Sequence, residues 1–375
     1  MKNFSKLNEV IVDDKQQFTD ETITKVLKRI LLIICIVLGG MSAFSQGTHW
    51  SEKQIQDWYS RNAWFCGVNY IPSNAINYTA MWDKTSFSPD LIEKELTLAQ
   101  GLGFNCVRVV LQYAVYADDP EYFLKTFDKF LSICSKHEIK VMPALFDDCA
   151  FGANTDPTLG KQSEPLEGWY AWAWSPSPGH SMVNDPRTYP KLKVYVKDVI
   201  TRFKNDKRVF VWDLYNEPSI SLQLVKNVFA WARQIDPVQP LTICLFNDDL
   251  KEINNVVSDN SDIITFHCYA TKEKTAAYIE HLKPYKRPII CTEWMNRPAK
   301  SIVEDILPLL KEKNVGSILW GLVNGKTQTN LPWGYRPKNL PYTGIWQHDL
   351  YKTNFEPYHN QEIELIKKLT NSDSK

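Results

Sequence analysis

The chain alternates short, almost continuously apolar runs with longer segments in which apolar residues recur at helical spacing. The short runs are rich in β-branched and aromatic residues, as are the strands of a parallel sheet that is covered on both faces. Eight such runs follow residue 60, at 64–70, 106–112, 140–146, 209–215, 241–246, 263–269, 288–294 and 316–322. The pattern therefore predicts eight buried parallel strands.

The segments between these runs carry the boundary signals of helices. Ser88 and Pro89 open one such segment, and Gly101 closes it. Proline in the first turn and glycine at the end are typical helix boundaries. We predict helices over about 88–101, 119–137, 185–206, 248–257, 271–283, 299–313 and 358–370, and a further helix that begins at Ser219 or Ser221.

Strands that alternate with helices in this way predict an α/β protein with a single (β/α)8 TIM barrel. A doubly wound open sheet is the alternative, but it is expected to show a glycine-rich turn after an early strand, and the sequence has none. The loops at 147–184 and 323–357 are longer than packing requires. Because both loops follow strands, both are expected on the face of the barrel where the strands end.

Residues 1–45 are predicted to be a processing segment rather than part of the fold. Lys25, Lys28 and Arg29 precede the apolar run ILLIICIVLGG, which is too short to span a bilayer comfortably. Small residues follow this run, so the pattern predicts a signal peptide that is cleaved before Gln46 and a protein that is secreted or periplasmic. The polar extension before the run is unusually long, and a retained N-terminal membrane anchor is the alternative.

The composition excludes several classes of partner and site. The 43 basic side chains balance the 43 acidic ones, whereas a surface for nucleic acid or for an anionic membrane would need a basic excess. Beyond Gln46 the cysteines are widely spaced and form no C-x-x-C pair. This spacing predicts unpaired, mostly buried thiols rather than disulfides or a zinc site. No metal and no cofactor are expected.

Two carboxylates lie at the ends of predicted strands. Glu217 ends the fourth strand, between Asn216 and Pro218, and Glu293 lies near the end of the seventh. In a closed eight-stranded barrel these two strand ends face each other across the axis. Such a pair suits the cleavage of glycosidic bonds, in which one carboxyl group protonates the leaving oxygen and the other attacks the anomeric carbon.

On these motifs the chain resembles the clan A glycoside hydrolases, and family 5 in particular, over residues 64–322. The most specific element is Asn216-Glu217-Pro218, followed by Glu293 on the seventh strand. The resemblance implies that Glu217 is the acid/base and that Glu293 is the nucleophile of a retaining enzyme. It also implies that Asn216 binds the sugar 2-hydroxyl group.

Further positions match the same family. The resemblance implies that Arg108, on the second strand, holds the nucleophile ionised. It implies that His267 supplies an imidazole to the active site and that Tyr269 bonds the nucleophile through its phenol. It also implies that Trp320, on the eighth strand, forms the platform under the sugar ring at the cleaved bond.

The chain departs from family 5 after the third strand, where the usual histidine is missing and Asp147 and Asp148 stand instead. Acidic groups there would bond sugar hydroxyl groups differently. The run WGLVNGKTQTNLPW after the eighth strand is also atypical, and it is similar to barrel hydrolases described as cellulase-like or xylanase-like. The sequence therefore leaves open whether the glycan is glucan, mannan, xylan or galactan, and whether action is endo or exo.

We predict that residues 46–375 form the catalytic domain of a monomeric, exported, retaining β-glycosidase that cleaves a polysaccharide or an oligosaccharide. Trp169, Trp172 and Trp174 are expected to build sugar subsites beyond the cleaved bond, because aromatic faces stack on the apolar faces of pyranose rings. A non-catalytic carbohydrate-binding barrel and a transglycosylase are the alternatives. Hydrolysis assays on aryl β-glycosides and polysaccharides separate the binding barrel from an enzyme.

Overall fold

The structure is a computed structural model, and it describes residues 49–152, 154–333 and 342–371. The predicted signal peptide, its cleavage site before Gln46 and the alternative membrane anchor lie outside these ranges. Within them, no helix combines the length and the apolar character that a membrane crossing requires.

Parallel strands form a barrel in which every strand pairs with its neighbours in chain order, and the first strand also pairs with the last. The fifth strand has two segments, of which the first pairs with the fourth strand and the second with the sixth. The predicted (β/α)8 barrel is thereby confirmed. The strands are β1 (Cys66–Asn69), β2 (Cys106–Val110), β3 (Lys140–Ala144), β4 (Trp212–Asp213), β5 (Leu241–Thr242 and Cys244–Leu245), β6 (Ile264–His267), β7 (Ile289–Glu293) and β8 (Gly316–Trp320).

The end of the barrel at which the strands begin is filled with apolar side chains. Ile55 and Tyr59 lie on helix α1 (Glu52–Ser60), which begins after the capping side chain of Ser51. They pack against a layer contributed by residues around the barrel, namely Phe65, Cys106, Met142, Phe210, Val211, Ile263, Ile290 and Ile318. Because this end is sealed, the polar groups of the interior lie at the other end, where the strands terminate.

The remaining helices surround the barrel and pack through apolar faces. On the helix Pro120–Lys136, Phe123, Phe127 and Phe130 recur at helical spacing and surround the indole of Trp82 at ring-centroid distances of 6.1, 6.0 and 5.4 Å. Burial of each such ring stabilises the fold by about 2 kcal/mol. The helices are α2 (Tyr78–Trp82), α3 (Pro89–Gly101), α4 (Tyr113–Asp118), α5 (Pro120–Lys136), α6 (His180–Val183), α7 (Tyr189–Phe203), α8 (Leu222–Ile235), α9 (Lys251–Asn260), α10 (Lys272–Leu282), α11 (Val303–Glu312) and α12 (Asn360–Asn371).

Two local features differ from the sequence pattern. Four helices were not predicted, namely α1, α2, α4 and α6, and each has nine residues or fewer. Helical periodicity is read over windows of about 11 residues or more, so helices of this length escape it. The helix predicted from residue 299 begins only at Val303, because the 3-10 turn Arg297–Ala299 precedes it.

The cysteines of the described ranges are all free, which confirms the predicted unpaired thiols. Cys149 and Cys268 are half-buried, and the others are buried. Most of the buried ones lie on barrel strands and act as small apolar residues.

Candidate active site

Glu293 ends β7 and is held by two donors, the buried Arg108 and the half-buried Tyr269. Arg108 on β2 donates through Nη1 to Oε1 at 2.9 Å, and the hydroxyl group of Tyr269 donates to Oε2 at 2.6 Å. The side chain of Glu293 is only 8% exposed. Both of its oxygens therefore act as hydrogen-bond acceptors, and one of them faces a fixed positive charge.

Arg108 joins the ends of four strands. Besides Glu293, its guanidinium donates to Asp213 at 2.8 Å, to the side-chain oxygen of Asn69 at 2.9 Å and to that of Asn216 at 2.5 Å. Burial alone would lower the pKa of Arg108, but the charges of Asp213 and Glu293 raise it. The arginine therefore stays charged and fixes the position of the carboxylate and the amide at once.

Glu217 follows β4 with a backbone φ of 44°, in the left-handed region that side chains other than glycine rarely occupy. This conformation costs roughly 1–2 kcal/mol and turns the chain sharply at the end of the strand. One carboxyl oxygen accepts from Nδ1 of His267 at 2.6 Å. The other accepts from the thiol of Cys149 at 3.0 Å.

His267 and Glu217 share a proton through their hydrogen bond. Burial would raise the pKa of Glu217, but the hydrogen bond from His267 and its positive charge lower it. Burial would lower the pKa of His267, but the sulfur of Cys244 and the carboxylates of Glu293 and Glu217 raise it. In the free protein, the shared proton therefore rests on the imidazole.

The two carboxyl groups approach each other closely. One oxygen of Glu217, one of Glu293 and a ring nitrogen of His267 all lie within 4.8 Å of one another. Among the described residues, these three side chains form a close group of the residue types that bind metal ions. Arg108, Tyr269 and the imidazole of His267 already donate hydrogen bonds to oxygens of these two carboxyl groups.

A cavity of about 370 Å³ opens above this pair, on the face where the strands end. Aromatic rings form most of its wall, and the two carboxyl groups lie in it. Its lining residues are Cys149, Phe151, Tyr170, Trp174, Asn216, Glu217, Phe246, His267, Tyr269, Glu293, Trp320 and Trp333.

The sequence matches the family described as glycosyl hydrolases family 2, TIM barrel domain, over residues 85–331, which is more than half of the chain. The chain belongs to this family. It is therefore a hydrolase of glycosidic bonds, and the predicted resemblance to clan A is confirmed. No curated protein matches the sequence.

Solved glycoside hydrolases share the fold. The exo-β-1,4-mannosidase from Opitutaceae bacterium strain TAV5 is 15% identical with a TM-score of 0.59, over 88% of this chain and 62% of its own length. GH5_18 from Streptomyces cattleya, solved with GlcNAc, is 12% identical with a TM-score of 0.57, over 83% and 80%. The endo-β-1,4-mannanase from Thermotoga petrophila is 14% identical with a TM-score of 0.54, over 85% and 79%.

In this family 2 barrel, Asp147 and Asp148 lie beneath the cavity rather than in its lining. Asp147 is buried and accepts from the side chains of Asn216 at 2.8 Å and Trp174 at 3.2 Å. Asp148 accepts from the hydroxyl group of Tyr215 at 2.6 Å and from two backbone N–H groups of the loop after β4. Hydrogen-bond donors of the protein thus already bind both carboxylates, whereas the sequence suggested that these carboxylates bond sugar hydroxyl groups.

The three loop tryptophans that were predicted to bind sugar lie in two different places. Trp174 is buried, lines the cavity and packs 5.8 Å from the ring of Trp320, which also lines it. Trp169 and Trp172 pack edge to face against each other at 5.0 Å and are not among the lining residues. The structure therefore brings Trp174 and Trp320 to the carboxylate pair and leaves the other two outside.

The sequence alone did not point to Cys149, Phe151 or Phe246 as lining residues. Cys149 was expected only as a buried thiol, because no motif surrounds it. Asn69 and Asp213, the further partners of Arg108, could have been recognised from the sequence. Each is a polar residue inside an otherwise apolar predicted strand, and such a residue must find a buried partner.

The imidazole ring of His348 packs against the indole ring of Trp320. The two rings stack with centroids 5.8 Å apart and planes 23° apart. Burial lowers the pKa of His348 to about 3, although its hydrogen bond to the carbonyl of Met295 opposes that shift. The imidazole is therefore neutral, and Nε2 accepts from the amide of Gln347 at 2.8 Å.

Asp349 lies next to His348, and its carboxyl group packs against Gly321. The hydroxyl group of Thr329 bonds it at 3.0 Å. Burial raises the pKa of Asp349 from 3.8 to about 7, and Thr329 and Arg297 oppose this only in part. The folded protein therefore holds this proton at a pH where the unfolded chain has released it.

We expect the Asp349→Asn variant to gain stability relative to the parent as pH rises. A raised folded-state pKa gives the parent stability that is complete below pH 4 and is lost as pH rises to about 7. The asparagine does not titrate, so the difference in unfolding free energy changes by roughly 4 kcal/mol at most across this window. Urea unfolding at pH 4.5 to 8 measures it. Asp259→Asn, an exposed control, should show no trend, and a flat difference for Asp349→Asn would contradict the prediction.

Proposed function

We propose that this glycoside hydrolase cleaves β-glycosidic bonds with retention of configuration, with Glu293 as the nucleophile and Glu217 as the acid/base. The observation that supports this is the approach of the two carboxyl groups: one oxygen of Glu217 and one of Glu293 lie within 4.8 Å of each other. Retaining enzymes place their carboxyl groups about 5–5.5 Å apart, whereas inverting enzymes leave about 6.5–9.5 Å for a water molecule. The approach within 4.8 Å is closer to the retaining arrangement than to the inverting one.

The surroundings of the two carboxyl groups support the division of roles. Glu293 accepts hydrogen bonds from Arg108 and Tyr269, which fix its carboxyl group in place to attack the anomeric carbon. Glu217 is more exposed, at 22% against 8%, and it shares a proton with His267. An acid must reach the leaving oxygen and receive a proton that it can donate, and Glu217 is the more accessible carboxyl group and bonds the imidazole that holds that proton.

The lowered pKa of Glu217 describes the protein without substrate. There the proton rests on His267, and the pair is a carboxylate with an imidazolium. A sugar ring that covers the pair removes water, and removal of water disfavours charged pairs relative to neutral ones. Substrate binding therefore favours the transfer of the proton from Nδ1 to Glu217, which is the form that the reaction needs.

The reaction then has two steps. The carboxylate of Glu293 forms a bond to the anomeric carbon while the bond to the leaving oxygen breaks, and that oxygen takes the proton of Glu217. Glu217, now ionised, removes a proton from water as the water attacks the anomeric carbon and the ester to Glu293 breaks. Two inversions at one carbon give net retention.

Asn216 and Trp320 are placed to hold the sugar ring. Asn216 lines the cavity, its Oδ1 accepts from Arg108, and one N–H of its amide donates to Asp147. The second N–H has only the long contact of 3.6 Å to the sulfur of Cys149, so it can donate to a sugar hydroxyl group. The indole of Trp320 offers an apolar face to the ring.

Proton NMR of the first product tests the mechanism. The panel is the 4-nitrophenyl β-glycosides of mannose, glucose, xylose and galactose. The mannoside comes first, because similar folds include a mannosidase and a mannanase. We expect the β-anomer of the sugar to appear first and the α-anomer only by mutarotation. Initial release of the α-anomer would contradict retention, and sugar binding without hydrolysis of any panel member would favour a non-catalytic barrel.

A further inference from the structure

The segment 147–149, which follows β3, bonds the residues around Glu217, and we call this segment the acid cradle. Its backbone continues the pairing of β3 with β4 beyond the ends of both strands. The backbone N–H of Asn216 donates to the carbonyl of Phe146 at 2.7 Å, and the N–H of Asp148 donates to the carbonyl of Asn216 at 3.3 Å. The acid cradle therefore has a fixed register relative to Glu217.

Asp148 holds the turn on which Glu217 lies. The backbone of Glu217 has a φ of 44°, so the turn needs support from its surroundings. The carboxylate of Asp148 accepts from the hydroxyl group of Tyr215 at 2.6 Å and from the backbone N–H groups of Ser219 at 2.7 Å and Ile220 at 3.0 Å. These donors come before and after Glu217 in the chain, so one side chain fixes both ends of the turn.

Asp147 fixes the side chain next to the acid and the backbone of Cys149. Its Oδ1 accepts from the amide of Asn216 at 2.8 Å and from the backbone N–H of Cys149 at 2.9 Å. Asp147 is fully buried, and the indole of Trp174 bonds its other oxygen at 3.2 Å. The position of Cys149 is therefore set relative to Asn216, and through it relative to the acid.

Cys149 bonds the carboxyl group of the acid itself. Its thiol donates to Oε2 of Glu217 at 3.0 Å, while Nδ1 of His267 donates to Oε1 at 2.6 Å. Burial and the charges of Glu217 and Asp147 raise the pKa of the Cys149 thiol, so the sulfur keeps its proton and remains a donor. The carboxyl group is therefore held at both oxygens, by the thiol at one and by the imidazole at the other.

A thiol suits this position because it is a weak hydrogen-bond donor. A strong donor at Oε2 would stabilise the ionised carboxylate, and Glu217 would then take up the proton of His267 less readily. The S–H group fixes the direction of the carboxyl group with less of this effect. Cys149 is half-buried and lines the cavity, so its thiol lies on the side of Glu217 that a substrate reaches.

We propose that Cys149 is a positioning residue for the acid/base, whose thiol holds the carboxyl group of Glu217 in the direction from which it protonates the leaving oxygen. Asp147 and Asp148 hold Cys149 and the turn in place for this purpose. The inference rests on the proposed role of Glu217 and deepens it. It also gives a function to the run Asp147-Asp148-Cys149, which stands where family 5 usually has a histidine.

The test compares kcat/KM of Cys149→Ala on phenyl and on 2,4-dinitrophenyl β-glycosides of the sugar that the parent cleaves best. A misdirected acid slows the first step only where the leaving oxygen needs a proton. We expect kcat/KM to fall about tenfold or more on the phenyl glycoside and to stay within about twofold on the dinitrophenyl glycoside. The ratio of the two values does not depend on how much of the preparation is folded. Equal losses on both substrates, or no loss on either, would overturn the inference.

Two further variants separate the donor from the bulk of the side chain. Cys149→Ser keeps a hydrogen-bond donor and should restore kcat/KM on the phenyl glycoside to within about threefold of the parent. Cys268→Ala, the matched control, also removes a half-buried thiol, but this sulfur contacts Thr275 on α10 at 3.4 Å and is not among the cavity lining. It should keep both parent values. A serine variant as slow as Cys149→Ala would contradict the role of the donor.

The double variant Cys149→Ala with Glu217→Ala tests whether the thiol acts through the acid. A positioning residue has nothing to position once Glu217 is absent, so the double variant should match Glu217→Ala within about twofold on both substrates. A further tenfold loss would overturn the inference. If Glu217→Ala itself loses kcat/KM equally on both substrates, the proposed role of the acid fails and the inference fails with it. If only Glu217→Ala depends on the leaving group, the inference alone fails.

Discussion

Replacing Glu293 with glutamine is expected to lower kcat by about 10⁴-fold or more on every β-glycoside that the enzyme cleaves. Glutamine has the size of the parent side chain but cannot form the ester with the anomeric carbon. The loss falls on the covalent step itself, so a better leaving group cannot restore the rate. The exposed Glu312→Gln is the matched control and should retain the parent kcat.

The Glu293→Gln variant should still fold. Arg108 would lose one charged partner, but Asp213 remains within 2.7 Å and continues to pair with the buried guanidinium. Thermal unfolding should show a folded protein, and KM for the 4-nitrophenyl glycoside should change far less than kcat. A variant that is folded and keeps one tenth of the parent kcat would show that Glu293 is not the nucleophile.

The architecture of this protein could be predicted because burial dictates the pattern of apolar residues along the chain. Strands covered on both faces must be apolar throughout, and eight such runs separated by helices fit few architectures. The same argument extended to the site. Strand ends in a parallel barrel meet at one face, so Glu217 and Glu293 were predicted to be neighbours, and their oxygens lie within 4.8 Å.

The walls of the site were harder to predict, because loops follow no periodicity. Asp147 and Asp148 stand where family 5, which the chain resembles, usually has a histidine, and their side chains find different partners as the chain leaves the strand. One bonds Asn216, and the other bonds Tyr215 and the turn after Glu217. Which donors would meet them depended on the paths of two loops, which no pattern in the sequence specifies.

The same limit applies to His348. This residue lies in a long loop, and its ring stacks on that of Trp320. Arg297 holds the loop in place. The guanidinium of Arg297 donates to the carbonyls of His348 and Asp349 and pairs with Glu362 on α12. Contacts of this kind join residues far apart in sequence, and charge and hydropathy along the chain do not reveal them.

Replacing Glu217 with alanine should harm the enzyme in a way that depends on the leaving group. Glycosides with poor leaving groups need a proton on the departing oxygen and should lose kcat/KM by about 10³-fold or more. A 2,4-dinitrophenyl glycoside departs without protonation and should still glycosylate Glu293. Its intermediate should then accumulate, because no base activates water, and a burst of dinitrophenol should precede slow turnover.

The pH profile should change in the same variant. In the parent, the basic limb of kcat/KM reports loss of the proton that His267 and Glu217 share. Because the pKa of His267 is raised, this limb should lie above the ordinary imidazole value of 6.5. With the activated substrate, Glu217→Ala needs no proton donor, so the basic limb should disappear and the acidic limb should remain.

Azide distinguishes the two carboxyl groups. Added to Glu217→Ala, azide needs no base to attack the glycosyl ester at Glu293, so turnover of the activated substrate should rise with azide concentration. Attack on the ester inverts the anomeric carbon a second time, and the product should be the β-glycosyl azide. Cys149→Ala, which removes the thiol bonded to Glu217 but leaves the acid in place, should show no azide rescue. Formation of the α-azide by Glu217→Ala, or equal losses on activated and unactivated substrates, would reverse the assignment of the acid/base and the nucleophile.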